Sequence, residues 1–200
     1  GVLTLARLDA AALAEIFQVA DDNPLVGLDG RAQLMHRLAQ ALRERPQTFT
    51  AIGQPGHLFD ALTHHPHAPR LDEHHHPRPA PFHHQIQAPR ILGALLDAFS
   101  GIWPSGSQLQ GVPLGDCWRH PAAGGEGADA GWVPFHKLSQ WLSYSLLEPF
   151  EWAGVQVRGL DELTGLPEYR NGGLLLDAGV IQPLAADFAQ RAHRPSDEWT

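Results

Sequence analysis

The chain has 200 residues, 43% of them hydrophobic and 18% charged, with a formal net charge of −8. That length and balance suit one compact folded domain and exclude a disordered chain. Only 14 lysines and arginines are present, which excludes a surface built throughout to neutralise nucleic-acid phosphates and leaves room for a local basic pocket.

The apolar positions recur mostly at helical spacing. In "DAAALAEIFQVA", Asp9 is placed to cap a short helix with Leu13, Ile16 and Phe17 on one face. "DGRAQLMHRLAQALRERP" repeats the scheme, with Asp29 as cap, Leu34, Met35, Leu38, Ala39 and Leu42 as the stripe and Pro46 as the stop. Its Arg31, Arg37, Arg43 and Arg45 are expected to face water. Residues 63–88 then hold eight of the thirteen histidines among several prolines. Clustered histidine invites a metal reading. Adjacent histidines point in different directions, however, and prolines favour an extended chain, so a flexible surface insertion with no built metal site is expected. "PRILGALLDAFSGIW" predicts a third helix, with Ile91, Leu92, Leu95, Leu96 and Phe99 inward until "WPSGS" breaks it. Cys117 is the single cysteine, which rules out an intrachain disulfide and suits a reducing compartment. "HPAAGGEGADAGW", at 120–132, is a second flexible loop, shorter and rich in glycine, expected to be poorly ordered.

"WVPFHKLSQWLSYSLLEPFEWAG" predicts a helix with two faces. Leu138, Trp141, Leu142 and Leu146 form one, while Lys137, Tyr144 and Glu148 stack on another with Gln140 beside them. One lysine, a glutamine and several aromatic rings suit a pocket wall, where a ring stacks on a flat ligand and a cation holds an anion. The same residues suit a buried helix whose few polar groups are satisfied internally. In "GVQVRG", Val155 and Val157 suggest a short extended turn. In "GLPEYRNGGLLLDAGVI", Pro167 fits a first helical turn and Glu168 follows it, favoured by the helix dipole. Gly172 and Gly173 share a face with Tyr169, Leu176 and Val180. Each glycine costs about 1 kcal/mol relative to alanine in a helix, so a close neighbour is expected against them. The apolar runs are far shorter than a membrane span, and no basic region leads into an apolar core at the N-terminus; a cytoplasmic protein without a membrane partner is expected. Trp132, Trp152 and Trp199 are expected at the surface, where they would form a self-association patch. Taken together, the periodicity predicts an all-α, multi-helix bundle in a single domain spanning 1–200.

The stretches "FQVADDNPLVGLDGRAQL", "LGDCWRHP", "WVPFHKLSQWLSYSLLEPFEWAG" and "LTGLPEYRNGGLLLDAGVI" closely resemble the uracil-catabolism protein family. Its members accompany a cyclohydrolase-like enzyme in a pathway that degrades uracil through ribosylurea. The resemblance runs with gaps over most of the chain and implies that it is the central part of a longer family domain. A more distant resemblance, carried by "NPLVGLDGR", "FHKLSQWL" and "EYR", is to the queuosine-salvage family of N-glycosidases, whose fold is similar to that of the helical, helix-hairpin-helix type DNA glycosylases. That family carries aspartate where this chain has Glu168, which preserves the charge and lengthens its reach.

The resemblances imply hydrolysis of the bond between ribose C1′ and a urea nitrogen in ribosylurea or its 5′-phosphate. Such a reaction builds positive charge on the sugar, so a carboxylate below C1′ stabilises the transition state. A base must also take a proton from water; Glu168 is the first candidate for one or both roles, with Asp161 and Asp177 behind it. A protonated group must accompany the urea, for which Tyr144, His136 and Glu148 are candidates. Lys137, Gln140, Tyr169, Arg170 and Trp141 are expected around the same pocket, with Asp116, Arg119 and His120 of "LGDCWRHP" able to hold substrate. The scheme needs neither metal nor cofactor, and its partner is a small ribosyl or phosphoribosyl molecule. Two rivals belong to other classes. One is a non-catalytic module that binds a nucleotide-like metabolite or docks the cyclohydrolase. The other is a protein acting on a flipped base, disfavoured by the acidic balance.

Overall fold

The computed structural model describes residues 2–63 and 85–193. Among them the fold is mostly helical without being all-α: eight α-helices are joined by 3-10 turns and by three small strand pairings. Helices α1 (Val2–Leu5) and α2 (Ala10–Ile16) pack on α3 (Leu28–Glu44). Asp9 caps α2 as expected, its carboxylate accepting from the Ala12 N–H at 2.8 Å. Leu13 alone of the predicted α2 face is buried, while Ile16, the last residue of this short helix, and Phe17, its C-cap, are exposed. Asp29 does not cap α3. The helix starts at Leu28 after Gly27, and Asp29 falls in its first turn, where a carboxylate still favours the dipole.

Pro46 ends α3 and opens α4 (Pro46–Phe49), as a residue without an N–H can at a first helical position. After α5 (His57–Thr63), β1 (Gln85–Gln87) leads into α6 (Ala88–Phe99). The predicted His/Pro-rich insertion therefore begins and ends in regular structure, and its residues 64–84 lie outside those described. The hairpin of β2 (Gln108–Leu109) and β3 (Val112–Pro113) precedes a second one, β4 (Cys117–Arg119) and β5 (Trp132–Pro134). The glycine-rich stretch 120–132 closes this second hairpin. It is held by the Gly131 N–H donating to the Gly124 carbonyl at 2.7 Å and by the His120 N–H donating to the Gly131 carbonyl at 2.8 Å. Helix α7 (Lys137–Trp152) packs on α6, and β6 (Gln156–Arg158) pairs parallel with β1, Ile86 opposite Val157. Helix α8 (Tyr169–Asp177) is the last.

The core collects Leu42, Phe49, Leu58, Leu62, Ile91, Leu95, Phe150 and Val155 from α3 to β6. Two arginines expected in water instead tie α3 to α6 and the turn after it. Arg37 donates to the carbonyls of Ile102 and Trp103, and Arg45 to that of Asp97. Helix α7 joins the core through Phe150 at its C-terminal end, where the ring lies 5.0 Å from that of Phe59. In its middle the two faces resolve with the polar one inward: Ser139, Gln140 and Ser143 are buried, and Leu138, Trp141 and Leu142 point outward. Gly172 and Gly173 also depart from expectation, since a Cβ added at either would meet nothing within 4 Å. Trp152 is exposed, Trp132 is half-buried in β5, and Trp199 lies outside the described residues. No helix among the described residues is long and apolar enough to cross a membrane.

Candidate functional site

Asp116 joins the β4–β5 hairpin to the start of α7. Its carbonyl accepts the N–H groups of Phe135 and His136 at 3.0 and 2.9 Å. Its carboxylate takes the Trp118 indole N–H on Oδ1 at 3.0 Å and, more weakly, the Lys137 N–H on Oδ2 at 3.4 Å. A carboxylate at this position satisfies a helix-start donor and complements the dipole.

His136 precedes the helix at φ 45, a left-handed conformation that histidine adopts less reluctantly than most residues. Its Nδ1 is buried without a partner. Burial pushes the imidazole pKa below its ordinary value, with the Asp116 charge pulling the other way. The folded protein therefore favours neutral His136, and the unfolded chain takes up the proton first as pH falls. Stability from this residue is present above the ordinary imidazole pKa of about 6.5 and is lost as pH falls through the lower folded value. We expect the melting temperature to drop on acidification from neutrality, and the drop to shrink in His136→Asn, which tolerates the backbone conformation. Parallel pH profiles for the two proteins would remove His136 as its source.

From this start α7 presents Lys137, Gln140 and Tyr144 at i, i+3 and i+7 to the segment 163–168. The Tyr144 hydroxyl donates to the Thr164 carbonyl at 3.2 Å, and Thr164 Oγ1 donates to Gln140 Oε1 at 3.0 Å. Gln140 Nε2 donates to the Phe135 carbonyl at 2.9 Å, so this buried amide is satisfied at both ends. Lys137 Nζ lies 3.2 Å from Glu168 Oε2.

Glu168 is not inside the first turn of α8. It is the capping residue, with Pro167 ahead of it, because its other oxygen accepts the otherwise unsatisfied Arg170 N–H at 3.0 Å. That backbone hydrogen bond, and next the one from Lys137, holds the carboxyl below the usual carboxylate range. Glu168 is thus an ionised group with both oxygens engaged on the protein's exposed side.

Lys137 also lines a hollow of about 490 Å³ with Trp103, Pro104, Ser105, Asp116, Trp118 and Leu138. Its walls are mostly apolar, with Asp116 and Lys137 as the charged groups. Gly115 makes room for one wall: at φ 70 it adopts a glycine conformation, and a Cβ there would sit 3.1 Å from the Trp103 ring. The Ser105 hydroxyl donates to the Gly115 carbonyl and holds the 103–105 turn against β4.

The structure thus brings Lys137, Glu168, Gln140, Tyr144, Asp116 and His136 to one end of α7. The others stand apart. Asp161 is exposed in a 3-10 turn, and Trp141, Glu148, Arg170 and Asp177 are exposed and line no hollow described here. Arg119 and His120 line a different hollow of about 520 Å³ within the glycine-rich loop, where Arg119 Nε donates to the Ala130 carbonyl. Tyr169 opens α8, and its side chain lies outside those described. A hollow of about 580 Å³ between α3 and α6 contains none of the predicted residues. Sequence reasoning missed Trp103, Ser105 and Trp118. Among the described residues no three His, Cys, Asp or Glu side chains cluster as a metal site requires.

Comparison with known proteins places the chain in a family. The model of a family described as protein of unknown function (DUF1688) matches residues 2–199, and the chain belongs to that family. Uracil catabolism protein 4 of Lachancea kluyveri is 40% identical over 172 residues, which are 82% of this chain and 37% of the relative. Protein urg3 of Schizosaccharomyces pombe is 36% identical over 179 residues, 88% of this chain and 38% of the relative. The chain therefore spans less than two-fifths of the length of these relatives. No solved structure matches it significantly.

Proposed function

We propose, from this membership and from the pairing of Lys137 with Glu168 beside the hollow, that the chain serves uracil catabolism by hydrolysing the N-glycosidic bond of ribosylurea or its 5′-phosphate. The observation that carries the reading is the 3.2 Å contact between Lys137 Nζ and Glu168 Oε2, made by a lysine that also lines the hollow. A hollow of that size suits a small ligand.

In the reaction the C1′–N bond breaks, its electron pair leaves with the urea nitrogen, and that nitrogen takes up a proton. Water adds to C1′ and gives up a proton to a base. The products are urea and ribose or its phosphate. Glu168, kept ionised by its two hydrogen bonds, is suited to oppose the charge developing on the sugar. Lys137 orients Glu168 and can reach a sugar hydroxyl or phosphate. Glu168 also suits the base that takes the proton from water, and Tyr144 becomes the proton donor by exchanging the Thr164 carbonyl for the leaving nitrogen. The scheme uses no cofactor, metal or nucleic-acid partner. We propose the cytoplasm as its compartment and, from the queuosine-salvage resemblance, an architecture of the helix-hairpin-helix glycosylase type.

Incubation with ribosylurea and, separately, its 5′-phosphate should release urea and a reducing sugar in equal amounts from one of the two. The outward Leu138, Trp141 and Leu142 of α7 favour a second reading, a module that docks the pathway's cyclohydrolase without doing chemistry. Binding of either compound with no urea from a chain of the relatives' full length would select that second reading.

A further inference from the structure

Asp116 lines the 490 Å³ hollow, and the hydrogen bonds its carboxylate accepts from the described residues leave acceptor capacity unused. A carboxylate offers about four lone-pair sites, of which the Trp118 indole takes one and the Lys137 N–H approaches another. The remaining sites belong to a negative group set between apolar walls, Trp103 and Pro104 on one side and Trp118 and Leu138 elsewhere in the lining. Next to Asp116 a phosphate or carboxylate is disfavoured, since an added negative charge would meet it in a partly desolvated space, so an anionic group is left to the Lys137 side of the lining. The site attracts a flat group carrying N–H donors, because charge-assisted hydrogen bonds satisfy the carboxylate while indoles cover the flat faces.

We propose that this hollow receives the planar, N–H-rich end of the substrate, a ureido group, with Asp116 accepting its N–H groups and Trp103 and Trp118 forming its apolar walls. The inference rests on the proposed reaction and adds an orientation to it. The ureido group lies in the hollow, the sugar lies toward Lys137 and Glu168, and any 5′-phosphate points away from Asp116. Lys137, which belongs to both the hollow and the ion pair, then sits near the bond that breaks.

The test is calorimetric titration of the full chain with ribosylurea and, separately, with ribose, for the native protein, Asp116→Asn and Trp103→Leu. Asparagine keeps the oxygen that accepts from Trp118 and turns the other acceptor into a donor. Trp103 takes no part in starting α7, so its variant still reports if Asp116→Asn fails to fold. Both substitutions are expected to weaken ribosylurea binding on the order of tenfold or more while leaving ribose binding unchanged. Equal weakening of both ligands, or weakening of neither, overturns the assignment of the hollow. Selective loss of ribosylurea binding in a protein that releases no urea would retain the ureido site and remove the hydrolytic reading. Urea release with ribosylurea binding indifferent to both substitutions would do the reverse.

Discussion

On the proposed reaction, replacing Glu168 by glutamine is expected to lower urea release by about 10²–10³-fold, the loss that follows when one preorganised charge facing a transition state is removed. Glutamine retains an oxygen able to accept the Arg170 N–H, so the start of α8 survives and the loss reports chemistry rather than folding. Lys137→Met should cost a comparable factor, and the double variant little more than either single one, because the two residues form one ion pair. The pH profile supplies an independent readout. Glu168 titrates below the usual carboxylate range, so activity that needs its charge persists into mild acid and falls only as pH drops through the lowered value. Removing Lys137 takes away one of the hydrogen bonds that lower it, and the acid limb of the residual activity should move to higher pH. Unchanged urea release in Glu168→Gln would remove this carboxylate from the mechanism.

What the sequence made legible divides along physical lines. Helices α3 and α6 are legible because long apolar stripes at 3.6-residue spacing have few other solutions. The same periodicity divides α7 into two faces without saying which turns inward. Gln140 can be buried because Thr164 supplies a partner for its amide, a contact made from 24 residues away that no local pattern contains, and Ser139 and Ser143 are buried on the same side of the helix. Strands of two or three residues are too short to alternate visibly, and β1 and β6 pair across some seventy positions. The proximity of Lys137, Gln140 and Tyr144 follows from helical spacing. The approach of Glu168 to Lys137 rested on family resemblance, and the hollow beside them was hidden because the 103–105 turn, β4 and α7 meet only in three dimensions.

Phe49→Ala is expected to lower stability by about 3–5 kcal/mol, measured by denaturant unfolding. Phe49 is fully buried at the end of α4, its ring stacked on Phe99 with centroids 5.5 Å apart, and it belongs to the same cluster as Leu42 and Ile91. Alanine there forfeits the transfer energy of a phenyl ring and leaves a cavity that α3 and α6, cross-tied by Arg45 to the Asp97 carbonyl, can collapse only in part. Against a typical domain stability of about 5–15 kcal/mol, that loss is large. It should nonetheless leave ribosylurea affinity unchanged at a temperature where the variant is folded. The core grips α7 through Phe150 near its C-terminal end, whereas Asp116, Lys137 and Glu168 meet at the other, held by the β4–β5 hairpin and by the Thr164 hydrogen bonds. Affinity falling in step with stability would mean that the geometry of the ion pair is transmitted along α7 from the core, and the independence of the two ends would have to be given up.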